Sequence, residues 1–203
     1  MKKNKWIILC LGLIFIILTI LVKTNSLQIY DTFLYNLITF RICDGFTYFY
    51  KIVTFLGSTE FIVFLCLLFL ILFIILKKKN YGLIIIGVVV ISTIVNNLIK
   101  VLVMRERPNV LSFVTEHSYS FPSGHTMAAV SLYGILLYLL LKSNLNKIMK
   151  VIFSIILILV QILVALSRVY LGAHFMSDII GAFIMSIILL IIETYYIDKN
   201  NWI

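Results

Sequence analysis

The stretch YGLIIIGVVVISTIVNNLIKVLV, residues Tyr81 to Val103, contains a single charged side chain, Lys100. A helix needs about 20 predominantly apolar residues to cross the roughly 30 Å hydrocarbon core of a bilayer. The stretch therefore predicts a transmembrane helix. A lysine near the end of such a helix is costly unless it reaches the interface or faces a polar cavity, so Lys100 marks a candidate site.

Five further runs along the chain are also apolar and long enough to cross a membrane. Hydrophobic residues make up 63% of the sequence and charged residues only 12%, which is far from the composition of soluble domains. No repeat or linker divides the chain, so residues 1–203 are expected to form a single membrane-embedded domain. The five runs are Trp6–Val22, Phe61–Leu76, His125–Leu141, Val151–Leu166 and Met176–Tyr196.

Lysines carry most of the net charge of +9, and they cluster at alternate ends of the six predicted spans. All these clusters then fall on one side, which the positive-inside rule makes cytoplasmic. Both termini are expected there, and residues 23–57, 104–124 and 167–175 are expected outside. No small-x-small site follows the first run, which predicts a retained helix. The clustered lysines are Lys2, Lys3, Lys5, Lys77, Lys78, Lys79, Lys142, Lys147, Lys150 and Lys199.

The longest outer segment, residues 23–57, has an amphipathic pattern. Ile29, Phe33, Leu37 and Phe40 recur at spacings of three and four residues among polar side chains, which is typical of one face of a helix. The fold class is thus all-α, a polytopic membrane protein with six transmembrane helices and an interfacial amphipathic helix. A structural role for this helix is one interpretation, and contact with a substrate is the other.

All four arginines, all three histidines and both prolines lie in the outer segments or at helix ends bordering them. The first group is KVLVMRERP, residues 100–108. Lys100 and Arg107 are seven residues apart, about two helical turns, which puts both cations on one side of the helix if it continues that far. The alternative is that the two side chains anchor a helix end at the interface.

The second group is SFPSGHTM, residues 120–127. Pro122 ends the preceding structure, Ser123 is a favourable helix N-cap, and Gly124 lets a ligand approach the backbone closely. If a helix starts near His125, free N–H groups and the positive end of its dipole form an anion site. The alternative is ordinary turn chemistry ahead of a helix.

The third group is SRVYLGAHFMSD, residues 167–178. Arg168 ends the fifth span, and Gly172 interrupts the chain before the sixth. His174 and Asp178 are four residues apart, hence on one helical face. A carboxylate there can hold the imidazole in one tautomer and stabilise its cation. A purely structural ion pair is the alternative.

The predicted topology brings these three groups to the same membrane face. Three cations, an anion-binding helix start and two histidines suit the oxygens of a phosphate group and therefore phosphoryl transfer. His125, His174 and Asp178 would instead supply three ligands in a metal site, but the neighbouring cations repel a divalent ion and the usual carboxylate cluster is missing. We expect no metal and no cofactor.

The three cysteines, Cys10, Cys43 and Cys66, are scattered in apolar surroundings. Their spacing indicates neither a disulfide framework nor a metal cluster. We expect all three to be buried thiols.

The three groups resemble the signature motifs of the type 2 phosphatidic acid phosphatase superfamily, which includes bacterial acid phosphatases and vanadium haloperoxidases. The family pattern is a Lys, six residues and Arg-Pro, then Pro-Ser-Gly-His, then Ser-Arg, five residues, His, three residues and Asp. Every position is present here in order. FPSGH and SRVYLGAHF also resemble the phosphatidylglycerophosphatase B-type enzymes of this family.

This resemblance implies a metal-independent phosphatase with a helical core. His174 would be the nucleophile that forms a phosphohistidine, and Asp178 would orient it. His125 would protonate the leaving oxygen and then assist the attack of water. The side chains and backbone that would bind the phosphate are Lys100, Arg107, Ser123, Gly124 and Arg168.

The substrate implied is a phosphorylated lipid of a bacterial cell membrane, reached from the outer side. Phosphatidylglycerophosphate, undecaprenyl diphosphate and phosphatidic acid are the candidates. Two alternatives remain: a phosphotransferase that uses the same phosphohistidine, and a non-catalytic protein that binds lipid phosphates. The bilayer is the expected partner, with no nucleic acid and no obligate protein partner. His117 matches no motif position and is expected to be a loop residue.

Overall fold

The computed structural model describes the backbone of residues 2–203 and the side chains of residues 5–203, so the side chains of Lys2 and Lys3 lie outside the described residues. Eight helices and no β-strand occur in this part of the chain. The all-α prediction is therefore confirmed. The helices are α1 (Lys2–Lys23), α2 (Gln28–Ile38), α3 (Asp44–Phe55), α4 (Thr59–Ile75), α5 (Lys79–Val103), α6 (Gly124–Lys142), α7 (Lys147–Tyr170) and α8 (Met176–Lys199).

Five of these helices, α1, α5, α6, α7 and α8, are each long and apolar enough to cross a membrane. Helices α3 and α4 together pass the same test, but they meet at a bend of 44°. Counting the bent pair as one broken span gives the six predicted transmembrane segments. Helix α4 itself begins at Thr59, where Ser58 caps it by accepting a hydrogen bond from the N–H of Phe61 at 3.3 Å.

The segment between α1 and α4 contains two helices, α2 and α3, where the sequence predicted one interfacial helix. The chain leaves α2 at Thr39, whose hydroxyl and N–H both donate to the carbonyl of Tyr35 at 2.7 and 2.9 Å. Ile29 and Phe33 are exposed along α2, as expected of an interfacial helix. The buried side chain of α2 is instead the polar Asp31, which is only 2% exposed.

The centre of the bundle is α6, which packs against α5, α7 and α8, while α1 packs along α8. Leu132 and Ile135 of α6 are inaccessible to solvent in the main core, together with Ile85 of α5. Phe121, just before α6, is equally buried. It fits because Gly181 has no side chain: a Cβ there would lie 2.5 Å from the Phe121 ring.

The prediction that all three cysteines are buried is wrong for two of them. Cys66 is buried, but Cys10 of α1 and Cys43 before α3 are exposed. An apolar thiol in a membrane protein can face hydrocarbon as readily as the core, because lipid tails are themselves apolar. Apolar sequence context therefore does not distinguish the two locations.

The end of α5, the start of α6, the end of α7 and the start of α8 lie together at one end of the bundle, as the topology predicted. The loop between α5 and α6 folds over this end. Its Phe113 N–H donates to the carbonyl of Leu171 at 3.0 Å, and its Ser120 N–H donates to the carbonyl of Arg105 at 2.8 Å. Gly172 has a φ of 72°, and a Cβ there would lie 2.4 Å from the carbonyl oxygen of Leu111. Glycine is needed there on both counts.

Candidate active site

His174 and Asp178 meet at the start of α8, as predicted. His174 lies in the turn before the helix rather than on its face, because the N-cap is Phe175. Its Nδ1 is 3.4 Å from Oδ2 of Asp178 and 3.3 Å from the hydroxyl of Ser120. Both side chains are almost completely buried. With Nδ1 facing the carboxylate, the proton belongs on Nδ1 and the lone pair on Nε2.

Asp178 has three further partners. Its Oδ2 accepts hydrogen bonds from the Phe175 N–H at 2.9 Å and the Ser120 hydroxyl at 2.5 Å, and its Oδ1 accepts one from Nη1 of Arg105 at 2.5 Å. The carboxylate therefore caps α8 as well as facing His174. Arg105 lies in the first motif group, but no periodic signal distinguished it from its neighbours in the sequence.

Arg107 reaches the imidazole of His174 from a loop. Helix α5 ends at Val103 and Met104 takes a left-handed conformation with φ 54°, so the helix does not continue to Arg107. The guanidinium nevertheless approaches His174, with Nη1 3.3 Å from Nε2. It is fixed by donation from Nε to the Ser118 carbonyl at 2.7 Å.

Lys100 is buried near the end of α5. Its ammonium donates to the carbonyl of Tyr119 and to the hydroxyl of Ser118, the latter at 3.2 Å. Nη2 of Arg107 donates to the same hydroxyl at 3.3 Å. Lys100 and Arg107 therefore converge through the loop that covers the site, although they do not share a helix face.

Arg168 lies in the last turn of α7 and is 1% exposed. Its Nη1 donates to the Thr54 hydroxyl of α3 at 2.7 Å, and its Nη2 pairs closely with Oε1 of Glu116. Its Nε has no hydrogen-bond partner within the described residues. A buried N–H donor without a partner is rare and costly, so this nitrogen can take an acceptor that enters the site.

Glu116 lies among Arg107, Arg168 and His125. Its Oε2 is 3.5 Å from Nη2 of Arg107, and its Oε1 is 3.9 Å from Nδ1 of His125 as well as in contact with Arg168. Sequence reasoning missed this residue, since a single loop carboxylate has no pattern. It also lines two open cavities of about 770 and 690 Å³, on either side of the site.

The start of α6 agrees with the sequence prediction. Ser123 is its N-cap, and its hydroxyl accepts from the N–H and the hydroxyl of Thr126 at 3.4 and 3.0 Å. Its own N–H donates to the carbonyl of Asp178 at 3.3 Å. Gly124 and His125 occupy the first two helical positions, whose N–H groups have no acceptor within the helix. These two N–H groups are the ones that remain for an anion.

The electrostatic environment favours a neutral His174. Burial lowers its pKa from 6.5 to about 3, an effect that the adjacent Asp178 carboxylate only partly offsets. Burial also lowers the pKa of Arg107, although Glu116 opposes this shift, and a guanidinium remains a cation in proteins. A neutral imidazole keeps its Nε2 lone pair free beside the Arg107 cation.

Two of the three histidines thus lie at this site. His117 is exposed in the covering loop and makes no hydrogen bond within the described residues. Among those same residues, no group of three or more His, Cys, Asp or Glu side chains is arranged to hold a metal ion.

Comparisons with known proteins agree on one family. The family model described as PAP2 superfamily matches residues 81–202. Phosphatidylglycerophosphatase B of Bacillus subtilis (strain 168) is 33% identical over 149 residues, which span 72% of this chain and 73% of that protein.

Two solved structures are also similar. The crystal structure of the first transmembrane PAP2 type phosphatidylglycerolphosphate phosphatase from Bacillus subtilis has a TM-score of 0.87 at 29% identity, with coverage of 95% of this chain and 96% of that one. The crystal structure of Aquifex aeolicus LpxE has a TM-score of 0.61 at 26% identity, with coverage of 80% and 93%.

Proposed function

The chain belongs to the PAP2 superfamily and is a membrane-integral phosphatase, and from this premise we propose that it hydrolyses a membrane lipid phosphate through a phosphohistidine on His174. One observation carries the proposal. The guanidinium groups of Arg107 and Arg168 converge on a single carboxylate, that of Glu116, beside His125. Two guanidinium groups around one oxyanion are suited to binding a phosphate group, which displaces the Glu116 carboxylate when it binds.

In the first chemical step, Nε2 of His174 attacks the phosphorus atom and the bond to the lipid oxygen breaks. Arg107 is 3.3 Å from Nε2, so it lies where the transferred oxygens gather charge. The free Nε of Arg168 and the N–H groups of Gly124 and His125 supply further donors. His125 enters this step in its protonated form, transfers that proton to the departing lipid oxygen and becomes neutral.

In the second step, His125 accepts a proton from water, and the water oxygen attacks the phosphohistidine. The bond between phosphorus and Nε2 breaks, inorganic phosphate leaves, and His174 returns to its neutral form. Asp178 holds Nδ1 of His174 throughout and stabilises the positive charge that develops on the ring. Every group in this cycle belongs to the chain, so we propose a metal-independent reaction.

Phosphatidylglycerophosphate is the substrate that we propose first, because a similar protein is named phosphatidylglycerophosphatase B. Undecaprenyl diphosphate and phosphatidic acid are the comparison substrates. The larger cavity beside the site is lined by Lys51, Ser58, Thr59 and Glu60 at the bend between α3 and α4. These polar side chains suit the hydroxyl-bearing glycerol of a head group, while the acyl chains stay in the bilayer.

The test is phosphate release by the purified protein in detergent with EDTA, with the three lipids compared at equal surface concentration. We expect release to continue in EDTA, to be fastest with phosphatidylglycerophosphate, and to disappear in His174→Ala. His117→Ala is the matched control, since it removes a histidine from the covering loop. Release that stops in EDTA, or that survives His174→Ala, would contradict the mechanism.

The clustered lysines support an orientation in which both termini are cytoplasmic and the site faces outward. Cys43 is exposed between α2 and α3 on the site's side, whereas Cys10 lies in the apolar first helix. A membrane-impermeant maleimide should therefore label Cys43 in intact cells, and Cys43→Ser should remove the label. Labelling only after permeabilisation would mean the opposite orientation.

A further inference from the structure

Asp31, Arg105, Ser177 and Asp178 form a buried network where α2 meets the start of α8. Nη2 of Arg105 donates to Oδ2 of Asp31 at 2.7 Å, while its Nη1 donates to Oδ1 of Asp178 at 2.5 Å and to the Ser177 hydroxyl at 2.7 Å. Asp31 also accepts from the N–H and the hydroxyl of Ser177, at 2.9 and 2.6 Å. One guanidinium thus bridges two carboxylates.

The charged side chains of this network are almost completely buried. Asp31 is 2% exposed, Arg105 7% and Asp178 0%, and the guanidinium of Arg105 lies 4.0 Å from the ring of Phe175. Charges in such a place require partners, because removing them from water costs several kcal/mol each. Ile29 and Phe33 of α2 are exposed, and Asp31 is its buried contact with the bundle, next to the partly buried Tyr35 and Ile38.

The division of the Asp178 oxygens indicates what the network does. Oδ1 is held by Arg105, which leaves Oδ2 directed at Nδ1 of His174 and at Ser120. Without Arg105, the carboxylate would be free to rotate about its last bond. Without Asp31, the charge of Arg105 would be balanced by Asp178 alone, and less negative potential would reach His174.

We propose that Asp31 and Arg105 are positioning residues, which orient Asp178 and keep its charge available to His174 during phosphoryl transfer. This inference rests on the proposed function. Neither residue touches the phosphate position marked by Glu116, so their effect passes through Asp178. The charged and titratable groups around His174 and Asp178 on the surrounding elements are Asp31, Lys100, Arg105, Arg107, Glu116, His125 and Arg168.

The first variant is Asp31→Asn, which keeps shape and removes the charge. We expect kcat and the rate of phosphohistidine formation to fall by about 10- to 100-fold, the range for misplacement of a catalytic group. The KM should change by less than about threefold, because no phosphate contact is lost. Asp44→Asn is the matched control: it removes the same charge from the exposed first turn of α3 and should leave kcat unchanged.

The second variant is Arg105→Lys, which keeps the charge but cannot bridge two carboxylates. It should lose kcat as Asp31→Asn does. The double variant should lose little more than either single one, since both act on the same group. Nitrogen-15 NMR of labelled histidine supplies an independent readout: the Nδ1-protonated tautomer of His174 should dominate in the native protein and lose population in both variants.

The proposal is overturned if folded Arg105→Lys or Asp31→Asn retains native kcat, if losses appear in KM alone, or if the tautomer ratio does not change. If Asp31→Asn is recovered only as aggregate, Arg105→Lys decides the matter with the same readouts. A native protein that releases phosphate without any phosphohistidine would instead refute the proposed function. The two failures are therefore distinguishable.

Discussion

Replacing Glu116 with glutamine should tighten the binding of inorganic phosphate. The Glu116 carboxylate occupies the space between Arg107 and Arg168, so phosphate has to displace it. The negative charge of the carboxylate also repels the phosphate anion. Glutamine has nearly the same shape but neither the charge nor the strong pairing. When an internal group competes with a ligand, the apparent affinity for the ligand equals the intrinsic affinity multiplied by the fraction of sites that the group leaves free.

The magnitude follows from the contacts of Glu116. A hydrogen bond between charged groups contributes about 1.5–3 kcal/mol. The Glu116 side chain is 23% exposed, so water screens part of this interaction. We take the lower end of the range, about 1.5 kcal/mol, which corresponds to a roughly tenfold lower dissociation constant for phosphate.

The assay is isothermal titration of inorganic phosphate into the purified protein in detergent, supported by phosphate inhibition of lipid hydrolysis. Glu106→Gln is the matched control. It removes the same charge near the site, from a side chain that is exposed and makes no hydrogen bond within the described residues. Phosphate affinity that stays constant or weakens in Glu116→Gln would mean that this carboxylate assists the bound phosphate and does not compete with it.

Three further predictions concern stability and pH. Gly172→Ala should lower the unfolding free energy by at least about 1–2 kcal/mol, because of its positive φ and the Leu111 carbonyl; an unchanged melting temperature would contradict this. Glu193→Met should raise stability by about 1–3 kcal/mol, since both carboxylate oxygens are buried and have no partner in the described part of the chain; a lower melting temperature would count against it. The depressed pKa of His174 should keep it unprotonated well below pH 6.5. Stability should therefore decline as pH falls below 6.5, because the unfolded chain takes up the proton first, and an NMR titration midpoint at 6.5 would refute the shift.

The spans and the motif positions could be predicted because simple rules govern them. Bilayer thickness fixes the length of an apolar run, which located the helices to within a few residues. Ser123 was recognisable as an N-cap because its side chain acts on its own helix. Alternating topology then brought Lys100, His125, Arg168 and His174 to one end of the bundle without any knowledge of packing.

The supporting contacts could not be predicted from the sequence. Asp31 interrupts an amphipathic pattern that indicated a helix in the interface or packed over the bundle, and nothing in the pattern marked Asp31 as a buried contact. In the structure Asp31 is buried on the face of α2 that also carries Tyr35 and Ile38. Arg105 and Glu116 are charged residues in a loop, where neither period nor spacing indicates a partner. The end of α5 before Met104 could not be predicted either, because no sequence pattern indicates that a methionine will take a left-handed backbone conformation.

Every residue of the three sequence motifs lies between Lys100 and Asp178. Two of the buried guanidinium groups in that region nevertheless rely on the N-terminal helices, Arg168 on the hydroxyl of Thr54 and Arg105 on the carboxylate of Asp31. A hybrid that joined α5–α8 to four N-terminal helices without equivalents of Thr54 and Asp31 would keep every motif and still lose these two acceptors. Transfer into such a recipient has to include α2 and α3 along with the motifs, so the unit that can be transplanted intact is far longer than the motifs themselves.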